Sequence, residues 1–326
     1  MKFKAFFLMA NLVLATSLVL AGCASPPAPL GHEAVTPHLE GEFFVARDGV
    51  RLPISQWPAT GEMKDAPRAI IIGLHGMSDY ANAFAMPAKL WAERGITTLA
   101  YDQRGFGRGP LPGSWAGETV MQNDLYDFAV AVRARFPGTP VYALGESMGG
   151  AVLLTALAKN PPPVDGAILS APAVWSRGDM PLSYRVALFL AAHFAPGMVL
   201  SNNAASRVVK IIPSDNIPML IALGKDPWFQ KRTGAYALFG LVNLMDEARV
   251  APQALSSPPP ILMLTGEQDQ LIPKVPTQAV IAALGSRAEQ KHYQKGYHML
   301  LRDLEGAMVA KDVADWILFK TTATKP

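Results

Sequence analysis

The stretch Gly145-Glu146-Ser147-Met148-Gly149-Gly150 holds the residues of this chain best suited to nucleophilic chemistry. It follows the apolar run Val141-Tyr142-Ala143-Leu144 and precedes Ala151-Val152-Leu153-Leu154-Thr155-Ala156-Leu157. A short β-run, then G-x-S-x-G, then a run of helix formers is the layout of a nucleophile elbow. Gly145 and Gly149 lack a Cβ, so strand and helix can approach closely and Ser147 can sit in a strained turn. Its Oγ would then stand at the top of a sheet, facing a substrate carbonyl. The helix starting behind it would bring free N–H groups and a positive dipole end to a developing oxyanion.

A serine nucleophile needs a base, and the base needs a group to orient it. In the elbow layout the chain order is serine, acid, histidine. His193, His292 and His298 follow Ser147. His193 lies on an apolar helical run and reads as a packed helix residue. His292 falls inside a candidate last strand. His298 follows that strand in Lys295-Gly296-Tyr297-His298-Met299-Leu300, where a catalytic histidine belongs. The acid is expected after the preceding strand, in Ile261-Leu262-Met263-Leu264-Thr265-Gly266-Glu267-Gln268-Asp269. Asp269 is the favoured acid and Glu267 its competitor. The oxyanion hole needs two donors: the Met148 N–H, directly after the serine, and the Met77 N–H in His75-Gly76-Met77-Ser78.

These groups need strand ends to hold them, and the chain supplies the strands. Phe43-Phe44-Val45-Ala46 and Arg51 to Trp57 flank Asp48-Gly49, a hairpin signal. Ala69 to Leu74, Ile96 to Tyr101, Val141 to Leu144 and Ala167 to Ser170 are short apolar runs. Helical stretches Ala85 to Arg94 and Val120 to Phe136 separate them. Such alternation predicts an α/β fold with a mostly parallel sheet covered on both faces. The pattern breaks after Pro172, the sixth strand having ended. Residues 173–251 read as a mostly helical cap, with helices at Leu182 to Phe194 and Tyr236 to Met245. Strand character returns at Pro260 to Leu264 and again near Lys291 to Gln294, and Asp303 to Leu318 closes the chain as a helix. The core is thus expected at 42–172 and 252–326.

The chain has 326 residues, with 50% hydrophobic and 17% charged, a globular balance with ample core. Net charge is +3 and no dense basic block occurs, so no nucleic-acid partner is expected. Lys2 and Lys4 precede an apolar run from Ala5 to Ala21, which reads as a signal peptide over residues 1–22. It ends in Leu20-Ala21-Gly22-Cys23, and Cys23 is the single cysteine of the chain. This end resembles the lipobox of bacterial lipoproteins. The resemblance implies cleavage before Cys23, lipid attachment there, and a place in the bacterial cell envelope, anchored to the outer membrane on its periplasmic side. Residues 23–41, rich in proline, read as a tether.

His75-Gly76-Met77, Tyr101-Asp102-Gln103-Arg104-Gly105-Phe106-Gly107, the elbow, Thr265 to Asp269 and Gly296-Tyr297-His298-Met299-Leu300 stand together in order and spacing. This set resembles the monoglyceride lipase and lysophospholipase-like branch of the α/β-hydrolases, over roughly residues 42 to 320. The resemblance implies an α/β-hydrolase fold and a serine ester hydrolase working through an acyl-enzyme. Its substrate would be a small lipid ester, a monoacylglycerol or lysophospholipid. No metal or organic cofactor is implied. It also implies that Asp102 and Arg104 are scaffold and that Lys225-Asp226-Pro227-Trp228 belongs to the cap. Glu146 departs from the pattern, because many members carry histidine there. It reads as a hydrogen-bonded strand-end residue. Related branches cleave amino-terminal residues, so a peptidase or amidase stays open, with Asp179 or Asp246 as possible anchors for a peptide amine. A binding lipoprotein without catalysis is the remaining alternative.

Overall fold

The computed structural model describes residues 31, 34–195, 197–201 and 211–323. The expected signal peptide, Cys23 and most of the expected tether lie outside the described residues. Nine strands form one sheet: β1 (His38–Glu40), β2 (Phe43–Val45), β3 (Arg51–Trp57), β4 (Ala69–Leu74), β5 (Ile96–Tyr101), β6 (Val141–Glu146), β7 (Gly166–Ser170), β10 (Ile261–Gly266) and β11 (Ala288–Tyr293). Their order is β1-β2-β3-β5-β4-β6-β7-β10-β11. The first three strands and the β3–β5 junction are antiparallel, and every pairing from β5 to β11 is parallel.

The apolar runs are continuous because helices cover both sheet faces. Along β4 the side chains alternate between two cores. Ile70, Ile72 and Leu74 pack on one side with Leu125, Phe128, Leu153 and Leu244. Ala69 and Ile71 pack on the other with Trp91, Val313 and Ile317. The first face carries helices Glu118–Arg135, Met148–Lys159 and Ala235–Ala254, and the second carries Ala85–Glu93 and Gly306–Ala323. Trp91 Nε1 donates to the Ala310 carbonyl at 2.8 Å and fastens the two helices of the second face.

Asp102 and Arg104 act as scaffold. Buried Arg104 bonds Asp124 through Nε and Nη2 at 2.7 Å each, and Asp48 through Nη1 and Nη2 at 2.6 and 2.9 Å. It thereby joins the β2–β3 hairpin turn to the helix Glu118–Arg135. Burial pushes the Asp124 carboxyl up to about 6 even with this guanidinium against it. Asp102 accepts from the Ala81 N–H at 3.0 Å and the Arg108 N–H at 2.7 Å, and pairs with the Arg108 side chain.

Three features differ from the sequence expectation. His38–Glu40 is a strand paired with β2, so part of the expected tether belongs to the sheet and the cap follows the seventh strand rather than the sixth. The insertion is helical at Leu182–Phe194 and Ile217–Lys225, but also holds a two-stranded antiparallel ribbon, β8 (Val199–Ser201) with β9 (Arg232–Gly234). Three-residue strands are too short for alternation to register. The helix expected at Tyr236 to Met245 runs from Ala235 to Ala254, across the expected cap boundary at 251. Its Leu244, Met245, Ala248 and Ala251 are buried in the core, so this helix belongs to the core as much as to the cap.

Candidate active site

Strands β6, β7, β10 and β11 are neighbours and parallel, so the residues following them collect at one edge of the sheet. Their final pairs are in step: Glu146 with Ser170, Leu264 with Ser170, and Gly266 with Tyr293. Ser147 follows β6, Asp269 follows β10, and His298 follows β11.

Ser147 turns the chain from β6 into the helix Met148–Lys159 with φ 54° and ψ −115°. A non-glycine residue held there stores about 1–3 kcal/mol of strain. The surroundings impose it: the Ser147 N–H donates to Ser170 O at 2.9 Å, and the Ser147 carbonyl accepts from Ala151 N at 3.1 Å and Ala173 N at 2.9 Å. A Cβ on Gly145 would strike the Gly149 carbonyl, and one on Gly149 would strike the Leu74 carbonyl. Both glycines are required by close approach of backbone to backbone, as the sequence pattern anticipates.

His298 is 5% exposed, and its Nδ1 lies 2.9 Å from Asp269 Oδ2. A carboxylate oxygen accepts, so Nδ1 carries the proton and Nε2 keeps a lone pair. Asp269 is itself fixed, its Oδ1 accepting from Leu271 N at 2.8 Å and Ile272 N at 3.1 Å. Burial by itself lowers the His298 pKa; the Asp269 hydrogen bond and the charges of Asp269 and Glu146 outweigh it and hold the imidazole above its ordinary value. Glu267 points elsewhere, to Lys274 Nζ at 2.5 Å and His292 Nε2 at 3.2 Å. His193 bonds the Phe189 carbonyl within its own helix at 2.8 Å. His292 and Glu267 meet as an exposed pair, whereas His298 and Asp269 meet as a buried one in the loops after β10 and β11.

The loop after β4 passes beside the serine, where a Cβ on Gly76 would come within 3.3 Å of Ser147 Cβ. Met77 therefore follows a residue in contact with the elbow, while Met148 opens the helix and its N–H has no intrahelical acceptor. Buried His75 locks this loop. Its Nε2 accepts from Gln103 N at 2.9 Å and its Nδ1 donates to Gly76 O at 2.9 Å, which defines the neutral ring. Burial lowers its pKa and keeps it uncharged. Two cap segments grip the same edge. Tyr80 donates to Asp226 at 2.7 Å and Gln230 N to Ser78 O at 2.8 Å, while Met299 N donates to Pro213 O at 3.0 Å.

Sequence reasoning missed Asp79 and Arg302. Arg302 bonds Glu146 at 2.7 Å and lies 2.7 Å from Asp79, with all three side chains buried. The signal available was a lone arginine in the apolar run Met299-Leu300-Leu301-Arg302, which demands a buried partner without naming it.

A mostly parallel sheet with a strained serine after one strand and an Asp–His pair after two others defines an α/β-hydrolase. Comparison with known proteins gives the family: the profile described as serine aminopeptidase, S33, matches residues 65–305, and the chain belongs to that family. It is 28% identical to a monoacylglycerol lipase of Mycolicibacterium smegmatis, over 84% of this chain and 95% of that protein. It is 26% identical to the human monoglyceride lipase, over 89% of this chain and 95% of the relative. A solved structure of a soluble variant of the Saccharomyces cerevisiae monoglyceride lipase, in complex with a substrate analog, superposes with a TM-score of 0.69 at 19% identity, covering 91% of this chain and 99% of that one. Within the family, the chain is a carboxylic ester hydrolase.

Proposed function

We propose that this chain hydrolyses a single-chain lipid ester, a monoacylglycerol or a lysophospholipid, through an acyl-enzyme on Ser147. The observation carrying the reading is the 2.9 Å His298–Asp269 bond at the edge where Ser147 is held in its strained turn. His298 Nε2 takes the Ser147 proton as Oγ attacks the ester carbonyl. The Met148 and Met77 N–H groups stabilise the tetrahedral oxyanion. Asp269 stabilises the imidazolium, which then protonates the leaving alcohol. A water, activated by the same imidazole, clears the acyl group.

The lipid substrate is supported by the relatives' names and by the cap. Leu182, Phe189, Leu190 and Phe194 on one cap helix and Ile217 and Ile221 on another are exposed apolar side chains. The amidase alternative is weakened by the fate of its candidate anchors. Asp246 pairs with Arg177 at 2.7 Å, and Asp179 lies 3.3 Å from Arg249 and accepts from Ser176. Each is already neutralised by an arginine, which leaves little to attract a peptide amine.

A panel of 1-monoacylglycerols, lysophospholipids, short p-nitrophenyl esters and aminoacyl anilides separates these readings. Long-chain fatty acid release at least about tenfold faster, in kcat/KM, than short-ester cleavage is expected, since each buried CH₂ contributes about 0.8 kcal/mol. Activity confined to anilides would move the assignment to an amidase. Silence from a folded protein would favour the binding lipoprotein.

The same proposal places the enzyme on a membrane of the cell envelope through lipid on Cys23, on the periplasmic side of the outer membrane. Leu20-Ala21-Gly22-Cys23 supports it. Metabolic labelling with a fatty-acid analogue is expected to mark the mature protein, with processing blocked by globomycin. An unlabelled, freely soluble mature protein would rule the anchor out.

A further inference from the structure

One buried guanidinium touches three loops that the proposed chemistry uses. Arg302 lies in the turn Leu300–Arg302, four residues after His298, and is 4% exposed. Its Nη2 donates to Glu146 Oε1 at 2.7 Å, and Glu146 directly precedes Ser147. Its Nη1 stands 2.7 Å from Asp79 Oδ2. Asp79 closes the turn that carries Met77, its N–H donating to Gly76 O at 3.2 Å and its Oδ1 accepting from Tyr80 N at 2.9 Å. The cluster thus spans the oxyanion turn, the elbow and the histidine loop.

Its charge does not balance. Two buried carboxylates face one guanidinium, and Glu146 Oε2 is buried without a hydrogen-bond partner among the described residues. Apolar residues of similar volume often replace buried ion pairs at no cost in stability. Stability alone therefore gives no reason to place this cluster between three functional loops. Proximity to charge transfer does. Moving a proton from Ser147 to His298 creates a buried cation, and a surplus anion nearby favours it.

We propose that Asp79, Arg302 and Glu146 form a positioning unit: Arg302 holds the oxyanion turn and the histidine loop against the elbow, and Glu146 is a second anion that stabilises the His298 imidazolium. This rests on the ester hydrolase reading above. In the acylation step the Oγ–carbonyl carbon bond forms, the Oγ proton passes to His298 Nε2, and the carbonyl π electrons move onto the oxygen. Glu146 takes no proton and touches no substrate.

The charged groups around His298 come from several elements. Asp269 and Glu146 favour its cation and Arg302 opposes it. Asp79 faces Arg302, and His75 is held neutral by burial. Asp303, next to Arg302, is pushed up to about 6 by burial, and Asp215 lies beside it. Asp303 thus titrates close to the histidine, so an activity profile alone would mix the two. The imidazole must be read directly.

The test is a pH titration of the His298 ring nitrogens by NMR in the full mature chain, with kcat and KM measured beside it, for wild type, Glu146→Gln and Glu146→Asp. Glu146→Gln keeps the shape and an acceptor for Arg302 but removes the charge. Losing an anion disfavours the imidazolium, so the His298 pKa is expected to fall by about half a unit or more. The kcat is expected to drop about tenfold with KM nearly unchanged, because only charge developed in the transition state is affected. Glu146→Asp should recover at least half of the shift but not all of it. An unmoved His298 titration in a folded Glu146→Gln protein would overturn the proposal. If Glu146→Gln does not fold, Glu146→Asp decides: drawing the anion back by one methylene should lower the His298 pKa measurably below wild type, and a titration identical to wild type overturns the proposal. The NMR readout needs no substrate, so an error in the ester hydrolase reading would show separately, as a silent substrate panel.

Discussion

Ser147→Ala is expected to lower kcat for a monoacylglycerol by a factor on the order of 10⁶ while the protein stays folded. The substitution removes the attacking oxygen and nothing that holds the elbow. The Ser147 contacts to Ser170, Ala151 and Ala173 all run through backbone atoms, which alanine keeps. Alanine also carries a Cβ, so the strain at φ 54° persists and the melting temperature should move little. The oxyanion donors would remain, so residual turnover above the uncatalysed rate is expected. A Ser147→Ala protein retaining more than about a hundredth of the wild-type kcat would remove the serine from the mechanism, given an expected loss near 10⁶.

Asp269→Asn is expected to cost about 10⁴ in kcat. The Asn oxygen can still accept from Leu271 N and Ile272 N, so the loop keeps its shape. The atom facing His298 Nδ1 then becomes an amide donor. The imidazole must answer with a lone pair on Nδ1, which moves its proton to Nε2, toward the serine. A ring in that tautomer cannot take a proton from Ser147. Glu267→Gln is the control. Glu267 is spent on Lys274 and His292, so activity should stay within about twofold, as for surface substitutions away from the site. Equal losses from both variants would mean that the acid loop matters for folding rather than for the histidine.

The arrangement of the candidate site was more legible than its supports. G-x-S-x-G between a β-run and a helical run locates the elbow because Gly145 and Gly149 answer to local backbone crowding that the pattern encodes. Asp269 was readable because it follows the apolar strand β10, and His298 because it stands in the loop between the neighbouring last strand β11 and the closing helix. The Glu146–Arg302 pair joins residues 156 apart, and no local pattern couples such positions. Glu146 was readable as a strand-end hydrogen bonder, but not its partner. The cap was legible only in outline. Helix Leu182–Phe194 shows in its apolar run, whereas the ribbon β8–β9 has three residues per strand. Helix Ile217–Lys225 had a signal that went unread: Asn216 caps it by accepting from Met219 N at 3.2 Å, with Pro218 in the first turn. Helix Ala235–Ala254 outruns its expected end because Ala248, Ala251 and Pro252 pack into the core, a tertiary contact that local pattern does not report.

The most direct test of the central claim is active-site labelling. The protein would be treated with a fluorophosphonate, with and without a long-chain monoacylglycerol, and the adduct located by peptide mass spectrometry. The account predicts a single adduct on Ser147, formed more slowly when the monoacylglycerol competes. A folded, ester-cleaving protein that stays unlabelled, or carries its adduct on another residue, would contradict it.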